Sequence, residues 1–246
     1  MLPVQIAVPT RYAPVVTWWL IGINVGVFLY EISLSPPELE WYLSRFALVP
    51  ARYFAPMAPG AVDLPRLDWL PFVSNMFLHG GWLHLILNMW TLWLFGPIVE
   101  DRLGSGRYLV FYLACGLAAS VTHAAFNPTS TVPALGASGA IAGVLGASIV
   151  LFPLARLVMI IPILFFPFFF EVPAIFFAAF WFLTQLLQGS ADLLLPTSDA
   201  GGVAWWAHVG GFVAGVVLTP VARQSAYRYR AYFADEGVLG FDPRGR

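Results

Sequence analysis

Ser138 lies in the run Leu135-Gly136-Ala137-Ser138-Gly139-Ala140, among small residues at the entrance to an apolar segment. Further along the chain, Ala207-His208-Val209-Gly210-Gly211 sets an imidazole in a second apolar segment. A serine hydroxyl is a weak nucleophile until a nearby base can take its proton, and imidazole is the usual base. Small neighbours let two helix backbones approach closely enough for such side chains to meet. The pair points to hydrolytic chemistry through a serine nucleophile, carried out inside a membrane.

Composition supplies the membrane. Of 246 residues, 59% are hydrophobic and 10% charged, with several long uncharged runs, which excludes an ordinary soluble domain. That length suits one compact bundle of about six spans at roughly 20 residues each. The formal net charge of -1 gives no reason to expect a nucleic-acid partner. Lysine is absent, so arginine carries every fixed positive side chain. The single Cys115 sits in an apolar run, cannot form an internal disulfide and is expected to be a buried, unreactive thiol.

Six segments read as membrane helices: Val15 to Ser33, Trp82 to Val99, Tyr108 to Ala125, Gly136 to Phe152, Pro173 to Gln188 and Ala204 to Val221. The first follows Pro14 and is stopped by Pro36-Pro37. Its apolar stretch is long for a signal peptide and no small-x-small cleavage site follows, so it reads as a retained anchor. The fourth is short and glycine-rich. The stretch Leu157 to Phe170 is apolar but interrupted around it and within it by Pro153, Pro162 and Pro167. It is expected to be a membrane-hugging connection or an extension of a neighbouring helix. With no internal repeat or low-complexity linker, the expected organisation is a cytoplasmic segment 1–14, a six-helix membrane domain 15–222 and a cytoplasmic tail 223–246. The fold class expected is an all-α membrane protein.

Arginine sets the orientation. Six spans put both termini on one side, together with Arg11, Arg102, Arg107, Arg156, Arg223, Arg228, Arg230, Arg244 and Arg246. Only Arg45, Arg52 and Arg66 fall on the other side, all in the long loop Leu34 to Gly81. The positive-inside rule makes the richer side cytoplasmic. The loops Leu34 to Gly81, Phe126 to Leu135 and Gly189 to Val203 then face outward.

This orientation brings the polar residues to one depth. The second span descends from the outer face, so His84 and Asn88 lie roughly 3 and 9 Å below Trp82 at ~1.5 Å per residue. At a spacing of four they share a helix face. Ser138 stands at the outer end of the fourth span and His208 about one turn into the sixth. Polar groups inside a membrane are costly unless paired or functional.

Each residue taken alone has a plainer explanation. A lone serine in a small-residue helix is usually packing glue, and a lone intramembrane histidine is more often a satisfied hydrogen-bonding group than a catalyst. Helix packing alone explains Gly139-x-x-x-Gly143 and Gly211-x-x-x-Gly215. His79 and His123 have no compelling role. Zinc is a poor alternative, because His79 and His84 are about 140° apart around a helix and no His-Glu-x-x-His motif occurs. The plainer explanations fail jointly, since coincident depth of four polar residues from three helices is hard to ascribe to chance.

From about Phe77 to Gly215 the chain resembles the rhomboid intramembrane serine proteases, specifically their six-helix bacterial form. The resemblance rests on His84-x-x-x-Asn88, Gly96-x-x-x-Glu100-x-x-x-Gly104, Gly136-x-Ser138-Gly139 and Ala207-His208-x-x-Gly211-x-x-x-Gly215, in that order and spacing. It implies a rhomboid-like bundle with Ser138 as nucleophile and His208 as general base, a dyad without a carboxylate. It also implies that His84 and Asn88 help form an oxyanion hole with backbone N–H groups near Ser138. Gly136, Gly139, Gly143, Gly211, Gly215 and Glu100 would be structural. The partners implied are transmembrane protein substrates and the lipid bilayer, with neither metal nor cofactor, in a bacterial cytoplasmic membrane.

The pattern also departs from the family's. Some members carry an aromatic residue four positions after the nucleophile, packed against the catalytic histidine; here Ala142 occupies that position, which leaves the orientation of His208 open. The first-loop Trp-Arg pair of some members has no counterpart, and no accessory spans beyond six are seen. Two other function classes compete. A transporter or channel lacks support from inverted-repeat symmetry or an ion-ligand cluster. A proteolytically dead binding protein of the same fold would be expected to lack the serine or the histidine.

Overall fold

The computed structural model describes residues 2–54, 68–163, 166–194 and 203–224. Strand β1 (Leu2–Ile6) leads to helix α1 (Val15–Glu31). Three short helices follow: α2 (Pro36–Phe46), α3 (Ala51–Phe54) and α4 (Leu70–Ser74), the last running into a 3-10 turn at Asn75–Phe77. The main helices are α5 (Trp82–Leu103), α6 (Ser105–Phe126) and α7 (Ser138–Leu151). Strands β2 (Arg156–Ile163) and β3 (Phe166–Pro173) then precede α8 (Ala174–Leu194) and α9 (Trp205–Ala222).

The molecule is mostly helical, and α5, α6, α8 and α9 are long and apolar enough to cross a membrane. Helices α1, with 17 residues, and α7, with 14, are apolar but shorter. Helix α7 forms the axis of the core, with residues 139–148 all buried. It contacts α5, α6, α8 and α9. Tyr108, Tyr112 and Cys115 of α6, with Leu92 and Phe95 of α5, fill the space around it without solvent exposure.

Glycine permits the closest helix contact. A Cβ on Gly211 would run into the Gly139 carbonyl, and one on Gly215 into the Gly143 carbonyl. The backbones of α7 and α9 therefore touch along this seam, as small-residue interfaces allow. Gly104, at φ 77°, both ends α5 and begins α6, so the chain reverses through one left-handed residue. A side chain there would also collide with Gln224.

The all-α expectation needs correction, because β1, β2 and β3 form an antiparallel sheet in that order. Leu2 pairs with Ile160, and β2 pairs with β3 from Arg156↔Pro173 to Ile163↔Phe166. Leu157 to Phe170, expected to hug the membrane or extend a helix, is thus most of a hairpin. Pro162 faces Pro167 near its turn. Pro153 precedes the hairpin, so none of these residues breaks a helix. On β2, Leu157 and Met159 are buried in the main core while Arg156 is exposed, a period-two pattern.

Helix boundaries shift as well. The fifth expected span, drawn to stop before Gly189, continues to Leu194. Gly189 does not end the helix because it forms a notch; a Cβ there would meet Trp206 at 3.2 Å. The second span runs on to Leu103 and the third starts at Ser105. The first span ends at Glu31, two residues short of Ser33, and the fourth begins only at Ser138. The long loop Leu34 to Gly81 carries α2, α3, α4 and the 3-10 turn. Arg66, the arginines at 228, 230, 244 and 246, and loop residues 195–202 lie outside the described residues.

Candidate active site

The site lies at the end of the bundle where α5, α7 and α9 begin. Before α7, Leu48 and Ala134 form an antiparallel bridge, and the Gly136 amide donates to the Asn75 carbonyl at 2.9 Å. These bonds fix the strand-like approach to Ser138. Gly136 adopts φ 129°, a conformation a side chain would strain, and a Cβ there would lie 2.8 Å from His84 Cε1 and Nε2. The glycine therefore lets the His84 ring stand directly over this backbone.

Ser138 is the first residue of α7 and is half-buried. Its Oγ lies 2.8 Å from His208 Nε2, a hydrogen bond between two helices. His208, 8% exposed, has its Nδ1 2.7 Å from Gln185 Oε1 on α8. An amide oxygen only accepts, so Nδ1 must carry a proton, which in the neutral ring leaves Nε2 bare toward Ser138. The ring also packs against Trp181 at 5.7 Å, tilted, and against Trp205 at 6.3 Å, edge-on.

His84 and Asn88 follow one another on α5. The Gly80 N–H approaches His84 Nδ1 at a long 3.5 Å, which directs the opposite nitrogen toward Gly136. Asn88 is buried at 6% exposure, and its Nδ2 has no hydrogen-bond partner among the described residues. The structure thus brings Ser138, His208 and His84 together, with a spare amide donor one turn below His84.

Sequence reasoning missed three residues here. Gln185 and Trp181 contact His208 from α8, and Ala142 leaves the ring without an aromatic contact from α7. A glutamine inside an expected membrane span is the one signal that could have exposed Gln185. His79 is the third: its ring stands 5.1 Å from His84 and its amide donates to Glu31 at 3.2 Å. Burial, with His84 beside it, pushes the His79 imidazole down to about 4. His123 lies apart from this group, paired with Asn127 at 3.3 Å.

Glu100 and Asp101 sit at the opposite end of the bundle. Glu100 accepts from the Val16 amide at 2.9 Å, from the Thr17 amide and hydroxyl at 2.8 Å each, and from the Ser105 hydroxyl at 2.7 Å. Asp101 Oδ1 accepts from the Arg11 and Tyr12 amides at 2.8 Å each. Helix α1 follows Pro14 and has no side-chain cap of its own, so Glu100 caps it from α5. Ser105 ties Glu100 across the turn between α5 and α6, while the amides that Glu100 binds belong to α1.

The family model described as the Rhomboid domain matches residues 66–225. Over 80 residues the chain is 44% identical to Rhomboid protease GluP of Bacillus subtilis (strain 168), covering 32% of this chain and 15% of that protein. It is 29% identical over 203 residues to Rhomboid protein 1, mitochondrial, of Saccharomyces cerevisiae, covering 80% and 50% respectively. Presenilin-associated rhomboid-like protein A, mitochondrial, of Danio rerio is 30% identical over 170 residues, covering 65% and 39%. The chain spans half or less of the length of these relatives. Two of them are mitochondrial by name, so the comparisons do not single out a bacterial membrane.

Proposed function

We propose that this chain, which belongs to the rhomboid family, is an intramembrane serine endopeptidase that hydrolyses peptide bonds in or near transmembrane segments through Ser138 and His208. The observation that carries this reading is the 2.8 Å contact between Ser138 Oγ and His208 Nε2 at the head of a buried helix. As Oγ attacks a peptide carbonyl, Nε2 takes its proton and then delivers it to the leaving amine. Water, activated by the same nitrogen, hydrolyses the resulting ester and frees Ser138.

The negative charge on the tetrahedral intermediate needs donors. The Ser138 N–H, His84 and the unpartnered Asn88 Nδ2 are our candidates. Such a donor commonly contributes about 3–4 kcal/mol to serine hydrolases. Hydrolysis also needs water at depth. With 14 residues, α7 is only ~21 Å long against a hydrocarbon layer of ~30 Å, so Ser138 would sit below the surface in a pocket open to the outside. Transmembrane proteins whose helices carry Gly, Pro or polar residues near the outer end are the substrates that unwind most readily.

A six-span bundle with both termini cytoplasmic is part of the same proposal. The pairing of β1 with β2 supports this reading, because it joins the segment before α1 to the segment after α7. The chain between them must therefore cross an even number of times. Helices α5 and α6 supply two crossings, so α1 and α7 cross together or not at all, and their packing in the bundle favours crossing. Arg11, Arg102, Arg107, Arg156 and Arg223 border the sheet end, which supports a cytoplasmic assignment of that end under the positive-inside rule.

The test is cleavage of a labelled transmembrane substrate by purified protein in vesicles, alongside fluorophosphonate labelling. Wild type should cleave the substrate and take up label at Ser138, and Ser138→Ala should do neither. Turnover by a folded Ser138→Ala protein would overturn the proposal.

A further inference from the structure

A histidine base works only in one tautomer, and something must hold it there. Helix α7, which carries Ser138, offers the small Ala142 in the bundle and makes no hydrogen bond to Nδ1. Helix α8 supplies what α7 lacks. Gln185 Oε1 meets His208 Nδ1 at 2.7 Å, and Trp181, one turn earlier on α8, packs against the same ring.

The orientation of the Gln185 amide is itself fixed. Its Nε2 donates to the Trp181 carbonyl at 3.2 Å and to the Thr184 hydroxyl at 3.0 Å, which turns Oε1 toward the imidazole. Both partners are sequestered, Gln185 at 5% exposure and His208 at 8%. Burying a carboxylate in that position would carry a heavy desolvation cost; an amide accepts the same hydrogen bond while remaining neutral.

We infer that Gln185 is the positioning residue for His208, holding the imidazole in the Nδ1–H tautomer with Nε2 bare toward Ser138. The inference rests on the Ser138–His208 reading above and extends it to a third residue on a third helix. Gln185 does not touch the substrate. It acts through His208, in the place that an acidic residue takes in three-membered serine hydrolase sites. Its removal leaves the ring free to take the other tautomer, in which Nε2–H cannot accept the serine proton.

The experiment compares wild type with Gln185→Leu and Gln185→Glu in vesicles. Three quantities are read: kcat and KM on a transmembrane substrate, fluorophosphonate labelling of Ser138, and ¹⁵N NMR shifts of the His208 ring. Leucine removes the acceptor and should lower kcat by about 10–100-fold with little change in KM. It should also replace a single Nδ1–H signature by a tautomer mixture. Glutamate keeps an acceptor, so the fraction that folds despite the desolvation cost should show both the signature and most of the turnover. That rescue separates positioning from a purely structural role, even if Gln185→Leu folds poorly. Wild-type kcat and an unaltered tautomer in folded Gln185→Leu would overturn the inference while leaving the dyad reading intact. A wild-type protein that neither cleaves nor labels, yet shows the Nδ1–H form only with Gln185 present, would instead overturn the dyad reading.

Discussion

One oxygen of Glu100 receives both the amide and the hydroxyl of Thr17, each at 2.8 Å, across the boundary between α5 and α1. Neither residue is appreciably exposed, with Thr17 at 0% and Glu100 at 2%. Truncating the acid would leave two helix-terminal amides and two hydroxyls, those of Thr17 and Ser105, without this acceptor. Glu100→Ala is therefore expected to destabilise the protein by about 3 kcal/mol. Turnover per folded molecule should change little, because the residue is at the opposite end of the bundle from Ser138. Thermal unfolding in detergent, set against specific activity, checks both halves. Normal stability with lost turnover would contradict the structural role.

Ser138→Ala and His208→Ala should each abolish cleavage while leaving a folded membrane protein. In the proposed dyad the two act as a unit, so the double variant should be no worse than either single one. Substrate cleavage by the three variants, compared at equal amounts of folded protein, is the measurement. Additive losses would mean that the two side chains work independently.

Asn88→Ala and His84→Ala should lower turnover by about 100-fold each without eliminating it, since other donors remain for the oxyanion. The unpartnered Asn88 Nδ2 makes this a loss in kcat and not a loss of fold. Steady-state kinetics on more than one substrate would decide. Wild-type rates in both variants would reduce these residues to packing groups.

Gly143→Val and Gly215→Val should lower stability and activity together. A branched side chain at Gly215 would have to displace the Gly143 backbone, and one at Gly143 would meet Cys115 at 2.6 Å from its sulfur. Overpacking of this kind costs about 3 kcal/mol. Melting temperature and turnover, followed in the same preparation, give the check. An unchanged melting temperature would show that the seam can open cheaply.

How much was legible in the sequence depended on what each residue contrasts with. Ser138, His84 and His208 stand out as polar groups among small or apolar neighbours, and the helix period places His84 over Asn88. The close seam between α7 and α9 could be read from the glycine spacing, because glycine is the cheapest way to bring two backbones together. Gln185 sits among Leu, Phe and Trp in a helix whose polar residues carried no motif, so its partner was visible only after α8 and α9 were packed. The contacts of Glu100 were hidden for a different reason: two of its four donors are backbone amides, which leave no mark in residue types. The hairpin escaped because β3 is apolar on both faces, with Phe168 and Phe169 both exposed, so no alternation distinguished it from a helix.

The sheet imposes an order on assembly. β1 precedes α1 and β2 follows α7, so Leu2 and Ile160 can pair only after the whole segment from α1 to α7 has folded between them. Contacts of such separation close long loops and form late. Until then β1 must wait in water, where its backbone can stay hydrated, since an unpaired strand has no place in hydrocarbon. In the proposed six-span topology, strand pairing would report that the helices between the two strands have inserted in the correct direction, and a chain with one span misthreaded would leave β1 and β2 on opposite sides of the bilayer.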